Sequence, residues 1–158
     1  MNGDIYSFDT SALIDGLERF YPQASFPALW ERIDELIDRG RLRISEEAWK
    51  EAVRVASSTK TWCEDANANR SSAIHATDAA IGSVVGAIMS DYPQWSRQGQ
   101  KNGADPFVIA VAETLDGTVI TGEKDGGPSK PRIPYVCSER NVDCGRFVEV
   151  VKREGWTF

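Results

Sequence analysis

Short apolar runs alternate along the chain with longer stretches in which apolar residues recur at helical spacing. Residues 4–9 hold Ile5, Tyr6 and Phe8 and read as a first strand, after which Ser11 can cap a short helix from Ala12 to about Phe20. Pro22 breaks that pattern. Leu29, Trp30, Ile33, Leu36 and Ile37 then mark a second helix from about Phe26 to Arg39, stopped by Gly40. Arg41 to Ile44 alternates as a strand, and Ser45 caps a helix expected from Glu46 to about Ala56. Residues 57–71 are polar and without period, so a loop or frayed helix is expected there. A long helix is expected from about Ser72 to Tyr92, closed by Pro93, with a loop after it. Pro106 suits the first turn of a helix, FVIAVAETL, that is apolar nearly all round and therefore buried. Gly117 ends it. Thr118 to Thr121 reads as a buried strand, residues 122–132 as a loop, Pro134 to Arg140 as a helix, Val142 to Cys144 as a strand, and Gly145 to Glu154 as a closing helix.

Strands separated by helices predict an α/β fold with a central, mostly parallel sheet flanked by helices. The 158 residues form one expected domain, residues 1–158, with neither an internal repeat nor a linker long enough to divide it. A hydrophobic share of 41% and a charged share of 27% describe an ordinary globular chain. No apolar run approaches the roughly 18 to 20 residues of a membrane helix, and the first residues lack the features of a signal peptide. Three cysteines without a CxxC pair point to a reduced, cytoplasmic compartment. The net charge of −6 argues against coating nucleic acid through bulk positive charge, while leaving room for RNA at one local, metal-neutralised site.

In parallel α/β sheets ligands bind beyond the carboxyl ends of the strands, which selects the acids to compare. Asp9 ends the first strand and Glu123 lies just past TVIT. Glu46, Glu47 and Glu51 lie on the helix after RLRI, and Asp105 opens the buried helix before TVIT. Two carboxylates at about 4 Å repel by about 4 kcal/mol at an effective dielectric of 20, so a fold that gathers several needs a cation. Oxygen-only ligands suit Mg²⁺ or Mn²⁺ rather than Zn²⁺, and a single His without CxxC gives zinc or Cys–His chemistry little support. Thr10, Ser11 and Thr121 can orient carboxylates or waters.

DTSALI, an acid on the helix after ISEE, ADPFVIAVA and VITGE, in that order, resemble a PIN domain. The likeness is to the VapC-like toxin ribonucleases and a PIN-like branch of uncharacterised bacterial proteins, and the basic helix ending in REGWTF resembles that branch too. The resemblance implies a three-layer PIN-like sandwich and a Mg²⁺- or Mn²⁺-dependent endoribonuclease, the toxin of a toxin–antitoxin pair. It also implies an antitoxin partner and allows a homodimer. Carried over residue by residue, it makes Asp9, Glu51, Asp105 and Glu123 the metal-holding and catalytic acids, with Thr10 and Ser11 in the accompanying hydroxyl positions. Glu47 is the reserve for Glu51 and Asp125 the reserve for Glu123. Glu123 departs from the Asp that many members carry. A non-catalytic PIN-like module acting through protein binding is the rival reading. A phosphatase of the haloacid-dehalogenase kind ranks low, because the second position of its DxD is Ser11 here.

Each residue also has a plainer role. Asp9 can serve a turn, Asp105 can cap the helix at Pro106, Glu51 can pair with Arg54 or Lys50, and Asp15 reads as a helix-surface residue. His75 suits the surface or packing, and Trp30, Trp49 and Trp62 suit core or interface. Trp95, near Arg97 and Lys101, is a weak candidate for RNA or partner contact. Arg97, Lys101, Lys124, Lys130 and Arg132 bracket Asp105 and Glu123 in sequence, as a solubilising loop or as phosphate-holding cations for RNA.

Overall fold

The computed structural model describes residues 3–97 and 103–158, with the side chains of Ser96 and Arg97 outside that description. Its centre is a five-stranded parallel sheet in the order β3-β2-β1-β4-β5. The strands are β1 (Tyr6–Phe8), β2 (Leu42–Ser45), β3 (Ile74–His75), β4 (Thr118–Ile120) and β5 (Asp143–Gly145). Tyr6 pairs with Leu42 on one side and Thr118 on the other, so β1 is central and all five strands point the same way.

β1 and β4 are buried at every position, as expected of parallel strands covered on both faces. Alternation of side chains divides β1 between two layers. The Ser7 hydroxyl donates to the carbonyl of Val108 at 2.8 Å, which ties the sheet to α7 (Asp105–Leu115). Phe8 faces the other way and meets Phe147 edge-on, with centroids 5.6 Å apart. Phe147 opens α9 (Phe147–Glu154) and also packs against Trp30 of α2 (Pro27–Asp38). Thus α2 and α9 cover one face, α7 covers the other, and α5 (Ala79–Asp91) stacks on α7 through Ile81, Val85, Ala110 and Val111. The expected three-layer PIN-like α/β sandwich is the observed one.

Several local expectations are corrected. The helix after β2 is α3 (Glu46–Ala52), which ends four residues early; Ser45 caps it by accepting the Ala48 N–H at 3.1 Å. The segment read as loop or frayed helix contains a formed helix, α4 (Ser58–Cys63), capped by Ser57 and anchored by buried Thr59 and Trp62. The single long helix over 72–92 is instead a 3₁₀ turn (Arg70–Ala73), the edge strand β3 and then α5, whose N-cap Asp78 accepts the Ile81 N–H at 2.9 Å. Pro93 starts the short α6 (Pro93–Arg97) rather than a loop. The remaining helices are α1 (Thr10–Ile14), which runs into a π-helical turn (Asp15–Phe20), and α8 (Ile133–Arg140).

At the end of β1 away from Asp9, Glu154 of α9 receives the Tyr6 hydroxyl at 2.6 Å and both terminal nitrogens of Arg41. This bidentate pair, largely shielded from water, fastens the last helix to the starts of β1 and β2. Among the described residues no helix is long and apolar enough to cross a membrane.

Candidate metal centre

Asp9 follows β1 directly, and its backbone N–H donates to the Ile120 carbonyl at 2.9 Å, so β4 fixes where the side chain starts. The side chain does not cap α1. Its Oδ2 accepts the Ser11 hydroxyl at 2.6 Å and the Thr121 hydroxyl at 2.9 Å. Each hydroxyl is held from the far side as well: Ser11 Oγ accepts the Gly122 N–H at 2.8 Å, and Thr121 Oγ1 accepts the Glu123 N–H at 3.1 Å. The turn after β1 and the turn after β4 are therefore laced together through Asp9.

Asp105 is the first residue of α7, with Ala104 in the N-cap position. It is 3% exposed, and its Oδ2 is buried without a hydrogen-bond partner. Capping does not explain a carboxylate oxygen left in that condition, which costs about 1–3 kcal/mol or more when charged. Glu123 reaches the same point from the loop after β4, its Oε1 accepting the Ile133 N–H at 3.0 Å. One carboxylate oxygen from each of Asp9, Asp105 and Glu123 lies within 4.8 Å of the others.

The electrostatics follow from that convergence. Burial, then the charge of Glu123, pushes the Asp9 carboxyl from 3.8 up to about 7, against the lowering effect of its two hydroxyl donors. Asp105 is driven up more strongly, by burial first and by Asp9 and Glu123 next. Glu51 is displaced upward too, mainly by burial. A donor set of clustered carboxylates with an orphaned, buried oxygen fits a hard divalent cation. Asp9, Asp105 and Glu123 are the residues that can hold it.

Glu51 is not in this trio. Its Oε1 accepts the Thr10 hydroxyl at 2.9 Å, and Thr10 also reaches the Ala48 carbonyl at 3.0 Å. It remains close enough for its charge to raise Asp9 and Asp105. Glu47 is drawn away by Lys50 at 3.1 Å. Asp125 is exposed and borders a neighbouring cleft. Trp95 is 1% exposed and unavailable for stacking on a base, which corrects the expectation for it. Lys101 and the Arg97 side chain lie outside the described residues. Lys124, Lys130 and Arg132 line a cleft of about 600 Å³ that they share with Glu123.

Two residues of the site were not anticipated. Asp15 is no mere surface residue: its carboxylate packs against Gly122, where any Cβ would run into it, while its other oxygen takes Arg19 at 3.3 Å. Arg146 follows β5 and donates to the Gly122 carbonyl at 2.7 Å, at the mouth of a cleft of about 410 Å³ bordered by Thr121 and Cys144. The signal for Arg146 was positional, since it too stands at the carboxyl end of a strand. Nothing in the sequence marked the contact of Asp15.

A family model described as "Domain of unknown function (DUF4411)" matches residues 6–158. No curated protein matches the chain by sequence. Among solved structures, a chain of VapBC2 from Rickettsia felis, crystallised bound to a DNA fragment from their promoter, is similar with a TM-score of 0.51. The two chains are 13% identical, and the match covers 90% of this chain and 98% of that one. At that identity the likeness concerns the fold.

Proposed function

The chain belongs to the DUF4411 family, and on the strength of its buried acid cluster we propose that it is a Mg²⁺- or Mn²⁺-dependent endoribonuclease. The observation that carries this reading is the convergence of Asp9, Asp105 and Glu123, one carboxylate oxygen of each within 4.8 Å of the others, at a place where Asp105 Oδ2 is buried without a hydrogen-bond partner. Asp9, Asp105 and Glu123 hold the cation, and Glu51 adds negative charge from the rim. A divalent ion bound there acidifies a water and offsets charge on a phosphodiester.

The chain's own side chains prepare the rest. Ser11 and Thr121 donate to one oxygen of Asp9, leaving Oδ1 as the oxygen to offer to the cation. The Ile133 N–H occupies Glu123 Oε1 in the same way. These fixed donors remove rotamer freedom before the ion arrives, so less ordering accompanies binding.

The PIN-like fold shared with a VapBC2 chain supports a further reading as the toxin of a toxin–antitoxin pair, with a protein antitoxin as partner and a homodimer as a compatible assembly. A cytoplasmic location goes with that reading. Incubation of RNA with the protein at graded Mg²⁺ or Mn²⁺ tests the activity: hydrolysis appears with the metal and stops with chelator. RNA untouched at every metal concentration contradicts it.

One observation favours a second reading, a PIN-like module that acts by binding protein. The PIN resemblance expects Asp where Glu123 stands, and one of the Glu123 oxygens is already taken by a backbone N–H. Calorimetric titration with Mn²⁺ separates the two, since the binding-module reading expects no affinity in a folded protein.

A further inference from the structure

We propose that the hairpin loop after β4 is a phosphate-binding subsite for single-stranded RNA, in which Lys124, Lys130 and Arg132 hold backbone phosphates adjoining the acid cluster. The proposal rests on the ribonuclease reading and adds where the strand lies.

The loop is built rather than loose. Gly126 and Pro131 form an antiparallel bridge, and Gly127 and Lys130 exchange backbone hydrogen bonds at 3.2 Å in both directions. The Tyr135 N–H donates to the Asp125 carbonyl at 3.0 Å, and the Glu123 side chain accepts from Ile133, so the first arm of the hairpin is tied at two points to the start of α8, into which the second arm runs. Gly126 sits at φ +75°, and a Cβ there would lie 2.7 Å from the Arg132 backbone and stem. Only glycine lets the turn close onto Arg132. With Pro131 buried between them, Lys130 and Arg132 reach the same cleft as Lys124.

What sets the three cations apart is that they share one cleft. Arg41, Arg70, Arg140 and Arg153 lie on carboxylates, whereas Lys124, Lys130 and Arg132, like Arg39, Arg43, Arg54, Arg146 and Lys152, make no ion pair among the described residues. The shared cleft also holds Glu123, which is itself a member of the acid cluster. The net charge of −6 does not oppose this. Charges farther than the Debye length of about 8 Å at physiological salt are largely screened, so a strand at the cleft responds chiefly to the local patch. An acidic peptide would meet the three carboxylates in the same place. A nucleic-acid strand instead presents one phosphate to the cation and its neighbours to the hairpin, which favours RNA as the occupant.

The test is fluorescence anisotropy of a labelled 12-nucleotide single-stranded RNA, in chelator so that no cleavage occurs, across a salt series. The triple variant K124A/K130A/R132A is expected to bind at least tenfold more weakly than wild type, with the slope of log K against log salt smaller by about 2. The charge-preserving K124R/K130R/R132K is expected to keep wild-type affinity, and Lys152→Ala, an exposed cation on α9, to change nothing. Thermal melts establish that each variant is folded. Unchanged RNA affinity in the triple variant overturns the subsite, while cleavage by the wild type would leave the ribonuclease reading standing. Polyglutamate bound through the same three residues, with RNA not bound, overturns it in favour of an acidic protein partner. RNA neither bound nor cleaved by the wild type removes both proposals together.

Discussion

Asp105 concentrates the energetic tension of the molecule in a single oxygen. With its folded pKa raised far above the ordinary 3.8, its protonated form is favoured in the native state, and the same holds for Asp9 at about 7. A raised folded pKa contributes stability that is complete below about pH 4 and is lost as pH climbs through the folded value. The metal-free protein therefore loses stability from these groups across pH 4 to 7 and beyond. Asp105→Asn is expected to be more stable than wild type without metal, by an amount that grows to a few kcal/mol between pH 5 and 8, measured by urea unfolding in chelator. Apparent Mn²⁺ affinity of the wild type is expected to rise over the same window, by up to about tenfold per pH unit for each proton displaced. A calorimetric titration at pH 5.5, 6.5 and 7.5 checks this, and flat affinity contradicts it.

The acids themselves were legible from sequence because their positions follow from strand direction: Asp9, Asp105 and Glu123 each stand at the edge where parallel strands end. What decides their company was not legible. Glu51 and Glu47 occupy the same side of one helix, and only the three-dimensional neighbours, Thr10 for one and Lys50 for the other, separate them. Trp95 sat among polar residues, and its burial is set by packing that its neighbours in sequence do not announce.

Among elements, the turn after β4 carries the site. Thr121, Gly122 and Glu123 are held in sequence by Asp9, Ser11, Arg146 and Ile133. Gly122 has no room for a side chain beside Asp15. Gly122→Ala is expected to cost about 1–3 kcal/mol in urea unfolding and to lower metal affinity by shifting Glu123. An unaltered unfolding midpoint would show that the turn tolerates the added carbon. The far end of the sheet offers the complementary case. Glu154→Gln leaves Arg41 largely buried without its anion and is expected to cost about 3 kcal/mol, with the Mn²⁺ affinity of the folded protein unchanged. Long elements such as α2 and α7 were readable because their apolar periods run for several turns. The two-residue β3 is too short to show any period, and α4 owes its helix to the Ser57 cap and to Trp62 packing on Trp30 rather than to an amphipathic pattern.

The whole molecule joins two opposed fields on one sheet edge: a buried acidic cluster at the carboxyl ends of β1 and β4, and a cationic hairpin beside it. The acidic cluster is not explained by stability, since carboxylates gathered under a protein surface raise the energy of the empty fold. A divalent cation and a phosphate chain satisfy both at once. The decisive measurement is the initial rate of RNA cleavage in saturating Mn²⁺ by wild type, Asp9→Asn and Asp105→Asn, each shown to be folded. Loss of a metal ligand predicts rates at least about 100-fold below wild type for both variants, since each such change removes several kcal/mol of transition-state stabilisation. Equal rates in all three proteins would contradict the account.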